Sequence, residues 1–233
     1  MNQDSTKEPT IGEIVANNFS AASLFKKEGI DFCCGGKKSL TQACEEKGLD
    51  PLEIVKKLIA LEQIPVQINQ NFKEWKLDFL CEHIMKTHHV YVLKTLPELV
   101  FYTQKIASVH GEHHPELIEV ANLFARVNAE LLQHLQNEEE VLFPAILKLM
   151  TTHSSEAKEL IISEIARMQN EHEFAGETID HINELTQNYR IPEDGCNTYR
   201  VTFKLLEQFE DDLHIHVHLE NNILYPKALK LAE

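Results

Sequence analysis

The chain is poor in residues that interrupt helices and poor in positive charge. It has eight Gly and eight Pro in 233 residues, and five of the glycines fall within the first 48 residues. Long stretches are therefore free of the residues that most disfavour helix, and long helices are permitted. No run of eighteen apolar residues occurs, so no membrane-spanning helix is expected. Lys and Arg total 22 against 37 Asp and Glu, a formal net charge of −15. That field repels phosphate backbones and anionic lipid surfaces, which argues against nucleic-acid and membrane partners. Cysteine is scarce and odd in number, five in all, with Cys33 and Cys34 adjacent. Neighbouring cysteines close a disulfide only with strain. The opening Met1-Asn2-Gln3-Asp4-Ser5 is polar and acidic and does not read as a signal peptide. Together these features lead us to expect a reducing, cytoplasmic setting.

What is present falls into two parts, and the fold class expected is all-α. Residues 1–63 read as a small helical domain of short, punctuated segments. Thr10–Asn17 and Phe19–Glu28 are predicted helices, the second stopped by Gly29. Cys33-Cys34-Gly35-Gly36 is a tight turn. Ser39 can cap a helix that runs to Gly48, and Asp50 with Pro51 opens the next. Residues 64–71 read as a linker. From 72 to 233 the pattern is long helical periodicity, with helices predicted at 73–108, 115–150, 155–188 and 197–231. Pro97, Pro144 and Pro226 fall inside them and are expected to bend them. Asn188–Gly195 is a loop signal. Short connections between long helices favour an up-down-up-down four-helix bundle.

The second part is written twice. His134-x-x-x-Glu138-x-x-Val141-Leu142-Phe143-Pro144 recurs 82 residues later as His216-x-x-x-Glu220-x-x-Ile223-Leu224-Tyr225-Pro226. His89 and His172 echo each other at an offset of 83 and precede their motifs by 45 and 44 residues. Residues four apart share a helix face, so His134 pairs with Glu138 and His216 with Glu220. Leu131, Leu135, Val141 and Leu142 in one copy, and Leu213, Val217, Ile223 and Leu224 in the other, mark where the core lies. Ionisable groups placed there cost several kcal/mol each unless compensated, and metal ions would compensate them. One single motif is weak, because an exposed helical salt link gives the same pattern. A duplicated one with the same apolar-Pro ending is harder to explain that way. The candidate ligands are His89, His134, Glu138, His172, His216 and Glu220. They suit two ions, with both glutamates bridging and an oxo or hydroxo group between the metals. Imidazole and carboxylate ligation suits iron, while ligand type alone leaves zinc and manganese open.

Other titratable residues are weaker candidates. His88 adjoins His89, and the repeat alignment favours His89. His83, His110, His113, His114, His153 and His181 read as surface or loop residues, and His214 and His218 as turned away from His216, facing outward or touching a neighbouring chain. Glu130 and Glu171 are candidates to orient an imidazole or relay protons, against the plainer reading of solvated glutamates. Cys33 and Cys34, beside Lys37 and Lys38, are candidates for thiol or redox chemistry with an electrostatically favoured thiolate. Cys44, Cys81 and Cys196 read as packing residues.

Three segments carry a family resemblance that covers nearly the whole chain: Thr10-Ile11-Gly12-Glu13-Ile14-Val15, Gly29-Ile30-Asp31-Phe32-Cys33-Cys34-Gly35-Gly36, and Leu219-Glu220-Asn221-Asn222-Ile223-Leu224-Tyr225-Pro226. With them the chain resembles the iron-sulfur cluster repair di-iron proteins, the repair-of-iron-centres family, whose body is hemerythrin-like. The resemblance implies a di-iron centre on the same six residues. It further implies a cytoplasmic, homodimeric stress protein that restores iron-sulfur clusters damaged by nitric oxide or peroxide in other proteins, and it leaves enzyme turnover open. Iron supply and nitric oxide removal are both compatible with it. The competing readings are an oxygen-binding or oxygen-sensing hemerythrin and a nitric oxide reductase-type enzyme. The Cys-Cys head and the symmetric four-histidine set argue against an oxygen carrier.

Overall fold

The computed structural model describes residues 8–62, 71–152 and 154–233. Its chain divides into two compact units, one of residues 1–76 with 217–227 and one of residues 77–216 with 228–233. The stretch read as a linker lies outside the described residues except for Asn71, as does His153.

In the first unit, short helices start and stop where capping chemistry dictates. Helix α1 (Ile11–Asn17) opens on a capping box: Glu13 N–H donates to Thr10 Oγ1 at 3.2 Å, and Thr10 N–H to Glu13 Oε2 at 2.9 Å. Helix α2 (Ala21–Lys27) is followed by Gly29 at φ +68°, a left-handed position that favours glycine. Helix α3 (Leu40–Lys47) is capped by Ser39 and ends on Gly48 at φ +66°. Asp50 caps helix α4 (Pro51–Glu62) through Leu52 N–H at 2.9 Å. Ile11, Val15, Phe25, Ile30, Phe32, Leu40 and Ile54 form the core, each such side chain contributing roughly 1.5–3 kcal/mol when fully buried.

This unit also holds the stretch 217–227, and there one expectation fails. His218 is fully buried rather than outward-facing, between the rings of Phe19 and Phe32. Burial pushes its imidazole down to about 4. Helical periodicity shows that it turns away from His216 but not that another part of the chain covers it.

The body is the expected four-helix bundle, and the described residues contain no β-strand. Helix α5 runs from Leu77–Ile84 through a π-helical turn, Met85–His89, into Val90–His110. Helix α6 comprises Glu116–Asn137, the π turn Glu138–Leu142, and Phe143–Thr151. Helix α7 is Ser155–Leu185. Helix α8 comprises Asn197–Leu219, the π turn Glu220–Leu224, and Tyr225–Ala232, and its residues are divided between the two units. None of these helices is long and apolar enough to cross a membrane.

The π turns correct the simple picture of proline bends. Phe143 N–H bonds Glu138 C=O and Tyr225 N–H bonds Glu220 C=O, each five residues back. Pro144 and Pro226 each stand one residue beyond these wide turns, after Phe143 and Tyr225, where the missing N–H interrupts the regular ladder least. Between α7 and α8, Gln187, Asn188 and Tyr189 all adopt positive φ, from 52° to 58°. Tyr189 is anchored there by its hydroxyl, which donates to Glu210 Oε2 at 2.6 Å. Phe124 and Phe209 pack edge to face in the core, with centroids 5.4 Å apart.

Candidate metal centre

The three π turns carry or adjoin the candidate ligands. His89 closes the turn in α5, Glu138 opens the one in α6, and Glu220 opens the one in α8. Such a turn adds a residue to the helix and re-aims the side chains around it, and π turns are frequent at functional sites. His89, His134, Glu138, His172, His216 and Glu220 are all buried.

Two groups result. His89, Glu138 and His216 offer ligand atoms within 4.8 Å of one another, and so do His134, Glu138 and His172. Glu220, one turn past His216 on the same unbroken helix, is the fourth member of both groups. Both glutamates are therefore common to the two groups, while each group has its own pair of imidazoles. His89 Nε2 and His134 Nε2 lie 3.3 Å and 3.4 Å from the same Glu138 Oε2. His134 Nε2 and His172 Nε2 face each other at 3.0 Å.

The outer nitrogens explain why the inner ones are donors to a cation. His134 Nδ1 lies 2.7 Å from Glu171 Oε2, and His89 Nδ1 lies 2.8 Å from Glu139 Oε1. The hydrogen bond from His134 holds the Glu171 carboxyl below its usual range, so the carboxylate accepts and Nδ1 carries the proton. Nε2 then presents a lone pair to the interior. Lone pairs on imidazoles and carboxylates converging in a dry core repel one another unless a cation lies among them. The donor set and its carboxylate-held imidazoles therefore fit a metal ion of the kind that N,O ligands take, iron included. Arg167 supports Glu171 in turn, with Nη1 3.2 Å from Oε1.

Of the residues the sequence offered for orienting roles, the structure brings Glu171 to the site and leaves Glu130 exposed on α6. Sequence reasoning missed Glu139, whose partner His89 is 50 residues away. It also missed the use made of His88. That buried ring stacks on His216, with centroids 5.3 Å apart and planes within 7°, and bonds Asp212 at 2.9 Å. No signal in the sequence joins these partners.

The cysteines differ from expectation in two ways. The contact with Cys34, and then burial, push the Cys33 thiol well above its usual range, so it is not an activated thiolate. Cys44 and Cys81 are buried, but Cys196 is exposed, with His110 Nε2 3.2 Å from its sulfur. Backbone N–H of Tyr199, then that imidazole, bring the Cys196 thiol down to about 7.

The family model described as the hemerythrin HHE cation binding domain matches residues 82–228. The ScdA_N model, described as a domain of unknown function, matches residues 7–62. The iron-sulfur cluster repair protein ScdA of Staphylococcus haemolyticus is 33% identical over 95% of this chain and 98% of its own length. The protein of that name from Staphylococcus epidermidis is 30% identical over 96% and 99%. The iron-sulfur cluster repair protein YtfE of Yersinia pestis is 35% identical over 90% and 91%. This chain belongs to the iron-sulfur cluster repair family. In this chain the cation-binding model spans all six buried ligand candidates, and the ScdA_N model spans the Cys33–Cys34 turn.

Proposed function

We propose that this protein repairs iron-sulfur clusters in other proteins with an iron pair held by His89, His134, Glu138, His172, His216 and Glu220. The carrying observation is that two groups of buried ligands share Glu138 and Glu220. A shared carboxylate has two oxygens and can serve one ion with each, so the arrangement suits two adjacent metals better than two separate ones. An oxo or hydroxo bridge would complete the pair. The names of relatives spanning nearly the whole chain supply the repair function.

When bound, such a pair would supply exchangeable iron and Lewis-acid or redox chemistry toward a small diatomic such as nitric oxide. The chain's own residues do the rest. Glu171 and Glu139 fix the tautomers of His134 and His89. His88 holds the His216 ring face to face. Leu131, Leu135, Leu142 and Phe143 are buried along the same helix and keep that side of the site dry. We place the protein in the cytoplasm, with damaged iron-sulfur proteins as clients, and as a homodimer.

The test uses the iron-loaded full chain and a cluster enzyme inactivated with nitric oxide. Reactivation, together with two irons per chain, is expected for the native protein and is expected to be lost in His134→Ala and Glu138→Ala. A native protein that restores nothing while binding oxygen reversibly would defeat the repair reading in favour of an oxygen-binding one. Steady turnover of nitric oxide with a reductant, without reactivation, would instead make it an enzyme.

A further inference from the structure

A second set of metal-ligating side chains lies in the first unit. Asp31, Cys33 and Cys34 offer a carboxylate oxygen and two sulfurs within 4.8 Å of one another. Cys33 Sγ is 3.1 Å from Asp31 Oδ1 and 3.9 Å from Cys34 Sγ. We propose that Asp31, Cys33 and Cys34 form a third metal site, separate from the paired groups, that takes one thiophilic divalent cation such as zinc(II) or iron(II).

Three observations carry this. The donors are preorganised: backbone N–H groups of Cys33, Cys34 and Gly35 donate to the Asp31 carboxylate at 2.9, 3.1 and 2.7 Å. The turn is also clamped. Asn222 Nδ2 donates to Cys33 C=O at 3.0 Å, and Asn222 Oδ1 sits 2.3 Å from where a Cβ on either Gly12 or Gly36 would lie. Only glycine at both positions admits that amide. Finally, the donor chemistry is specific. Two thiolates with one carboxylate select borderline and soft ions over magnesium or calcium.

Binding needs no oxidant or reductant. Two S–H bonds break, two metal–sulfur bonds form, and two protons leave to solvent. The cation takes the place of the proton now shared between Cys33 and Asp31. With three protein ligands one position stays open, and Asp31 is exposed while Cys34 is half-buried. The ion is therefore held at the surface of its unit and exchanges readily. The clamp residue Asn222 lies two positions past Glu220 on the same π turn, so occupancy of the thiol turn and the setting of Glu220 are mechanically linked.

Cobalt(II) is the probe. Added to full-length protein whose paired site is already filled with iron, one equivalent is expected to produce a sulfur-to-cobalt charge-transfer band in the near ultraviolet. A colour-forming chelator should then remove the cobalt faster than the iron. Cys33→Ser and Cys34→Ser should each abolish the band while iron content and circular dichroism stay native. Asp31→Asn should weaken cobalt binding roughly ten- to hundredfold, and Cys196→Ser should leave the band intact. In a second measurement, zinc(II) should protect Cys33 and Cys34 from iodoacetamide. The proposal is overturned by absence of the band in the native protein, by its survival in Cys33→Ser, or by its loss in Cys196→Ser. None of these outcomes depends on cluster repair.

Discussion

Two carboxylates on the rim decide which nitrogen of two buried imidazoles faces inward. Removing Glu171 frees Nδ1 of His134 to carry the lone pair instead, and it also frees the ring to rotate. Glu171→Ala should therefore weaken metal binding about 10–100-fold, with Glu171→Gln intermediate because its amide oxygen still accepts the Nδ1–H. Competition against a chelator measures this. Glu130→Ala, on the exposed surface, should change nothing, and an equal loss there would show that the effect is not one of orientation. The six candidate ligands could be read from the sequence because each pair is four apart on one helix and the motif is duplicated. Glu139 could not, because its imidazole partner comes from another helix. Cys196 makes a second prediction at this scale. Its thiol is lowered to about 7, so the thiolate, the reactive form, increases as pH rises through 7. Alkylation by iodoacetamide should be about half-maximal near that pH, where an ordinary thiol of pKa ~8.5 is only a few per cent ionised. His110→Ala should move the midpoint upward. A midpoint near 9 in the native protein would remove the imidazole and the helix-terminal N–H groups as its cause.

Helix caps and helix lengths follow closely from local residues, which is why Thr10, Ser39, Asp50 and Gly48 mark their boundaries in the sequence as they do in the structure. The π turns do not. One added residue barely disturbs a hydrophobic period of 3.6, and matched prolines suggest only a bend. Yet the wide turn in α6 is what sets Glu138. A π turn is in effect one residue inserted into an α-helix, so removing exposed Glu140 should restore a regular helix and leave both flanks near their present faces. Pro144 would then fall in a regular helical interior and clash with the carbonyl four residues back. The informative variant therefore pairs deletion of Glu140 with Pro144→Ala. Native helical content with loss of bound iron is expected from circular dichroism and metal analysis. Full iron content in that variant would mean that an ordinary turn places Glu138 equally well. The buried position of His218 was unreadable for a related reason: Phe32, which covers it, is 186 residues away.

At the scale of the molecule, the buried ligands are a liability that metal turns into stability. Four imidazoles and two carboxylates in a dry interior replace apolar contacts that an ordinary bundle would have. A metal that binds the folded chain and not the unfolded one stabilises it by RT ln(1 + [L]/Kd), about 2.7 kcal/mol at a free concentration of 100 Kd. For a chain of this length each kcal/mol shifts Tm by roughly 2–4 °C. Complete removal of iron should therefore lower Tm by about 5–11 °C in calorimetry, and restoring iron should reverse the loss. Glu138→Ala, which removes a ligand from both groups at once, should show nearly the same Tm with and without iron. Loss of a ligand that serves only one group, as in His172→Ala, should keep part of the increment, because the other imidazole pair is intact. If His172→Ala and Glu138→Ala responded identically, the two groups would have to bind as one indivisible unit. If neither lost the increment, the stabilising metal would sit elsewhere, and the shared carboxylates would no longer support an iron pair.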